Sequence, residues 1–186
     1  MSAFRPALVV IDVQNGFVNA GSAHVVPVVA DLAARWADAG GAVVLTRYRN
    51  HPGSPFERLI GWTRLQDEAE IELVPELAAV ADRAVVANKT GYTALTPQVA
   101  ALAAEHGWTD LFLCGIDTAS CVLITAAAVF EAGLTPWVVA DACASNATSV
   151  PPEEAHAAGL MLIRRLVGAG QVITSGEALD RLPVRA

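Results

Sequence analysis

Three residues able to do chemistry lie far apart in this chain, each near the point where an apolar run stops. Cys121 belongs to DLFLCGIDTASCVLITAAAVFE, residues 110 to 131. Leu111–Cys114 is a short apolar run of the kind that forms a buried strand. Gly115 breaks it, and from Thr118 no Gly or Pro occurs until Gly133, so the second half has helical length. A cysteine at that strand-to-helix elbow meets unpaired N–H groups and the positive end of a helix dipole. Both favour a thiolate, which makes Cys121 a candidate nucleophile. The competing reading is a buried structural thiol. Asp12 follows the apolar run Ala7–Ile11 and precedes Val13, Gln14, Asn15, Gly16 and Phe17. An acid at the carboxyl end of a first strand stands where open α/β sheets place ligands; as a turn former it would be merely structural. Lys89 ends a third apolar run with Asn88 before it and Thr90, Gly91, Tyr92 and Thr93 after it. Its bland alternative is a surface lysine.

The elements that must position these residues alternate along the chain. Strands are expected at Ala7–Ile11, Ala42–Thr46, Ala84–Ala87, Leu111–Cys114, Thr135–Ala140 and Gln171–Thr174. Helices are expected at Pro27–Ala39 with a stop at Gly40-Gly41, from Pro75, and from Pro97 to Ala104 with Thr96 as its cap. Further helices follow the Cys121 turn, run from Pro151-Pro152 to about Leu166, and start at a Ser175 cap. Short apolar strands alternating with helices give an α/β class, a three-layer doubly wound fold with a mostly parallel six-stranded sheet. Asp12, Lys89 and Cys121 then end three strands on one sheet edge. The segment Arg47–Gly61, with two prolines and two glycines, reads as an irregular loop over that edge. Arg47, Tyr48, Arg49 and His51 could line a pocket there, the guanidiniums gripping a carboxylate or carbonyl. If the chain stays extended, Arg47 and Arg49 share a side and Tyr48 points the other way. A solvated loop is the alternative.

Composition narrows the function classes. The 186 residues carry a formal net charge of −7 and no basic cluster, which argues against nucleic acid and anionic membranes as partners. Mean hydropathy is +0.44, yet no apolar run reaches the roughly 18 residues that span a bilayer. One domain over residues 1–186 is expected. The N-terminal stretch MSAFRPALVVIDVQ lacks a cationic start and long apolar core, so no signal peptide is expected. Cys114, Cys121 and Cys143 show no CxxC spacing, as in a reduced, cytoplasmic protein. The apolar composition favours a homodimer or larger homo-oligomer.

Three motifs carry a resemblance that covers nearly the whole chain: VVIDVQNGF around Asp12, NKTGYTAL around Lys89, and CGIDTASCVLITAAAVFEAG around Cys121. In this order, at the ends of predicted strands, the sequence resembles the isochorismatase-like cysteine hydrolases. That superfamily includes nicotinamidases and N-carbamoylsarcosine amidohydrolase. The resemblance implies a catalytic triad of Asp12, Lys89 and Cys121. It also implies a cis peptide at Ile116–Asp117 and an oxyanion hole from the backbone N–H groups of Asp117 and Cys121.

Elementary chemistry agrees with that assignment. A free thiol with a pKa near 8.5 is mostly protonated at neutral pH. Asp12 can take its proton, and a nearby Lys89 favours both anions. The expected reaction is hydrolysis of a small amide, ureide or carbamoyl compound through an acyl-thioester. Substrate-pocket candidates are Gln14, Phe17, Arg47, Tyr48, Arg49, Trp62 and Tyr92. Nicotinamidases carry Asp-x-His after strand two and bind a metal there. This chain has Tyr48-Arg49-Asn50-His51, a poor metal site, so neither metal nor cofactor is expected. His24, His106 and His156 are read as structural. Alternatives are a vinyl ether hydrolase of the isochorismatase type, a non-catalytic binding protein, and a thiol redox protein pairing Cys121 with Cys114 or Cys143.

Overall fold

The run PALVVI forms the first strand because every residue from Ala7 to Ile11 is buried among apolar neighbours on both faces, the environment of a central parallel strand. A computed structural model describes residues 4–182; the outermost residues of the 1–186 expectation, and the first three of the N-terminal stretch, lie outside it. In chain order the elements are β1 (Pro6–Ile11), α1 (Val26–Asp38), β2 (Ala42–Tyr48), α2 (Pro55–Ile60), α3 (Glu68–Ile71), α4 (Ala78–Ala81) and β3 (Val85–Lys89). They continue with α5 (Pro97–His106), β4 (Asp110–Ile116), α6 (Leu123–Glu131), β5 (Thr135–Ala144), α7 (Pro152–Val167), β6 (Val172–Ile173) and α8 (Ser175–Asp180). The six strands form one sheet in the order β3-β2-β1-β4-β5-β6, and every strand pairing is parallel.

The chain therefore starts at the sheet centre, winds outward through β2 and β3, returns, and winds outward again through β4, β5 and β6. The order reverses between β1 and β4, and the crevice beyond the carboxyl ends of those strands is where doubly wound sheets bind ligands. Helices α1, α4 and α8 pack together, as do α6 and α7. Between α1 and the sheet, Trp36 packs on Phe112, which stacks on Trp137. Gly115 lets β4 close on β1. Its φ is 116°, and a Cβ there would sit 2.1 Å from the Ile11 carbonyl oxygen, so any side chain would push the two strand ends apart.

Several local expectations change. The Arg47–Gly61 segment is not irregular throughout: β2 runs on through Tyr48, and α2 occupies Pro55–Ile60. Ser54 caps α2 by accepting the Glu57 N–H, Pro55 starts it, and Gly61 ends it in the left-handed region, a complete set of start and stop signals. At the other end of the chain Thr174, not Ser175, caps α8. Thr174 and Glu177 form a reciprocal capping box, while Ser175 donates to the Asp141 carboxylate on β5. Strand β5 extends to Ala144, well past Ala140.

Candidate active site

Asp12 is the first residue beyond β1. Its φ of 51° lies in the left-handed region, which aspartate tolerates better than most residues. The side chain is fully buried. Thr46 on β2 donates its hydroxyl to Asp12 Oδ1 at 2.7 Å and accepts the Asp12 N–H at 3.2 Å. That leaves Oδ2, which lies 2.6 Å from Lys89 Nζ and has no other hydrogen-bond partner among the described residues. Lys89 comes from the edge strand β3, so its stem crosses the end of β2 to reach Asp12. The ammonium also donates to the carbonyls of Gly91 at 2.9 Å and Tyr92 at 2.8 Å, and it lies 5.4 Å from the Tyr48 ring centroid. On its far side it reaches Cys121 Sγ at 3.5 Å. One buried ammonium thus bridges a carboxylate and a thiol, and the three side chains come from β1, β3 and the turn after β4.

That turn is built around Asp117. The peptide bond between Ile116 and Asp117 is cis. The Asp117 carboxylate accepts the Ala119 N–H at 2.6 Å, the Ser145 hydroxyl at 2.5 Å and the Asn146 N–H at 3.0 Å, which ties the turn to the end of β5. Thr118–Val122 is a wide π-type turn, with Val122 N–H bonding the Asp117 carbonyl at 3.0 Å; such turns are common at functional sites. Thr118 Oγ1 meets His156 Nδ1 of α7 at 2.8 Å.

Electrostatics corrects one expectation. The helix-mouth argument favours a thiolate, but burial pushes the Cys121 thiol up to about 12. The Asp12 carboxylate adds to the rise, and Lys89 acts against it. Desolvation wins because Cys121 is only 6% exposed. The resting group is a thiol with a base nearby, not a free thiolate. For Lys89, burial favours loss of the proton, yet the charges of Asp12 and Cys121 outweigh it and raise its pKa above the usual lysine value.

A pocket of about 620 Å³ opens over Cys121. Phe17, Tyr48, Trp62 and Tyr92 line it, joined by Phe56, Arg64 and Asn146. Phe17 and Trp62 stack with centroids 5.7 Å apart, and Phe56 packs on both Tyr48 and Tyr92. Gln14, Arg47 and Arg49 are not on its wall. Gln14 is wholly buried, its amide bonded to the backbone of Tyr48 and Ile71. The alternation along β2 is as expected, but its sense is reversed: Tyr48 takes the pocket side. Arg49 makes a bidentate pair with Glu68 at 2.9 and 2.8 Å, and Arg47 bonds Asn88 and pairs with Glu72. Glu68 and Glu72 hold Arg49 and Arg47 away from the pocket, whereas Glu70 pairs with Arg64 on the pocket wall.

The loop after β2 does not suit a metal either. Asn50 is engaged with Ser54 and with the carbonyls of Trp62 and Arg64. His51 is exposed, with its Nδ1 against its neighbour's carbonyl. Among the described residues no group of three or more His, Cys, Asp and Glu side chains could hold a metal ion.

The sequence profile of the isochorismatase domain matches residues 6–177. The chain belongs to the isochorismatase family. Solved structures similar to this hydrolase-family fold include a cysteine hydrolase from Pseudomonas syringae pv. phaseolicola 1448A. It is 18% identical, with a TM-score of 0.84 over 96% of this chain and 92% of that one. The N-carbamoylsarcosine amidase from Thermoplasma acidophilum matches at 23% identity and TM-score 0.79, over 92% and 97%. Nicotinamidase PncA from Bacillus subtilis matches at 24% and 0.78, over 91% and 99%. At these identities the likeness is one of fold. Isochorismatase domain-containing protein 2 from Xenopus laevis is 32% identical over 107 residues, 57% of this chain. That stretch spans 47% of the relative's length.

Within the family frame, two residues that sequence reasoning missed support the site. Thr46 fixes Asp12, and Phe56 closes the aromatic wall. Thr46 stands two before Tyr48 on the same strand and so shares its side, a signal available in the sequence once Tyr48 is placed. Phe56 lies on α2, a helix too short to show its period in the sequence.

Proposed function

We propose that this isochorismatase-family member is a cysteine hydrolase that cleaves a C–N bond in a small amide, ureide or carbamoyl compound. The observation that carries this reading is the buried Asp12–Lys89–Cys121 arrangement, with one ammonium 2.6 Å from the carboxylate and 3.5 Å from the sulfur. Asp12 Oδ2 takes the thiol proton as Sγ attacks the substrate carbonyl carbon. The negative charge that forms on the carbonyl oxygen falls to the backbone N–H groups of Asp117 and Cys121, both residues of the pocket wall; such donors contribute about 10²–10³ in rate each. Protonated Asp12 returns its proton to the nitrogen as the C–N bond breaks, leaving an acyl-thioester on Cys121. Water then attacks that carbonyl, giving a proton to Asp12, and the C–S bond breaks as the thiol is reprotonated. Lys89 stays charged throughout and stabilises whichever neighbour bears the negative charge. The aromatic wall suits a small planar or apolar acyl portion.

The test is ammonia release from a panel of primary amides, ureides and N-carbamoyl compounds, with a mass search for an acyl adduct on Cys121. Turnover that vanishes in Cys121→Ala, with an adduct in the native protein, supports the reading. Turnover that persists in Cys121→Ala overturns it.

A further inference from the structure

Helix α7 carries an exposed stripe that the fold leaves uncovered. Its inner side, with Gly159, Leu160, Ile163 and Val167, is buried. Gly159 lies so close to the Cys121 turn that a Cβ would come within 2.9 Å of Ala119 Cα. On the outer side Met161 is 61% exposed and Leu166 51%, with Leu162 exposed between them. Helix α6, packed against α7, adds exposed Ile124 and Phe130. Scattered apolar residues on a surface are ordinary; a set on two adjacent helices marks an interaction face.

The pattern on α7 says what covers it. At 3.6 residues per turn, Glu154, Ala158, Met161 and Arg165 fall within about 60° of arc, along about 16 Å of helix. All four are exposed. The order is acid, small, large, base, and it complements itself when reversed. Neither Glu154 nor Arg165 has an ion-pair partner among the described residues. Acids early and bases late also suit the helix's own dipole. That preference does not place an exposed methionine and a small alanine between them.

We infer that α7 is the contact helix of a homodimer. Two copies pack their α7 helices antiparallel about a two-fold axis near Gly159 and Leu160. Glu154 of one copy faces Arg165 of the other, and Met161 of each lies over Ala158 of the other. Because the interface is isologous, every contact is made twice, so one substitution perturbs two places.

Sedimentation equilibrium of the full chain tests this, with circular dichroism to verify that each variant keeps its helices. The expected species has twice the 19.4 kDa chain mass. Met161→Glu should raise the dimer Kd by roughly tenfold or more, since it sets charges into an apolar contact. Arg165→Glu alone and Glu154→Arg alone each juxtapose like charges and should weaken the dimer. The combined Glu154→Arg/Arg165→Glu swap should restore Kd to within about threefold of the native value. A 19.4 kDa species at all concentrations, a dimer indifferent to Met161→Glu, or a double swap no tighter than the single ones would each overturn the proposal.

Discussion

Replacing Lys89 with methionine keeps the stem and removes the charge, which makes it a clean probe of the buried triad. Lys89 Nζ lies 2.6 Å from Asp12 Oδ2, and the two side chains are 1% and 0% exposed. Water cannot take over the role of the ammonium, so Lys89→Met leaves a buried carboxylate without its partner, a loss worth about 3–5 kcal/mol. The carbonyls of Gly91 and Tyr92 lose the same donor, which adds to that cost. Asp12→Asn is milder: Lys89 retains both carbonyls, and the loss of one charged hydrogen bond is worth about 1.5–3 kcal/mol. In the double variant neither charge remains, and its total cost should fall short of the sum by about 1–3 kcal/mol. Urea unfolding with a shared slope measures all four proteins. A Lys89→Met cost below about 1 kcal/mol, or additivity within about 0.5 kcal/mol, would refute the coupling argument.

Three further outcomes follow from the geometry. Iodoacetamide should label Cys121 first, because it alone of the three cysteines lines the pocket while Cys114 and Cys143 lie buried in strands. Its rate should climb about tenfold per pH unit through neutrality, since only thiolate reacts and burial holds the thiol near 12; preferred labelling of Cys143, or a plateau near pH 7, would count against this. Stability should decline in alkali: burial first, and neighbouring charges after it, raise the folded-state pKa of Cys114, Cys121 and Cys143. The stabilisation is complete below the unfolded thiol pKa of about 8.5. It is lost as pH rises toward 12, at roughly 1 kcal/mol per pH unit per thiol, and a flat melting temperature from pH 8 to 11 would contradict it. Arg49→Met should leave kcat/KM within about twofold of native, because the guanidinium is committed to Glu68 outside the pocket; a marked rise in KM would reinstate Arg49 as a substrate ligand.

Asp12, Lys89 and Cys121 were legible because each ends or follows a short apolar run, and parallel strands carry such residues to one edge. The strand alternation and Gly/Pro punctuation sufficed for the sheet. Period-two reasoning also paired Arg47 with Arg49, but it fixes only which residues share a side. The side itself is chosen by partners distant in sequence: Glu68 and Glu72 hold the arginines outward, and Lys89 with the aromatic cluster receives Tyr48. The helix-mouth argument for a thiolate at Cys121 falls short for a similar reason. A helix end is visible in local sequence, whereas the burial that outweighs it is made by β4 together with β5 and α7, which pack on the turn from distant parts of the chain. Six residues are too few to show a period, so α2 is hidden in the sequence pattern although Ser54, Pro55 and Gly61 mark both of its ends.

The order β3-β2-β1-β4 makes the site a gauge of sheet registration. Asp12 meets Thr46 only while β1 and β2 hold the alignment Val10 to Leu45, and Lys89 arrives only while β2 and β3 keep Tyr48 beside Lys89. A one-residue slip between neighbouring strands would turn an alternating side chain to the opposite face. Any partly ordered state with one misaligned pair would therefore retain its strands, helices and most of its core, yet lose the ammonium bridge altogether. Bond cleavage would vanish while circular dichroism changed little.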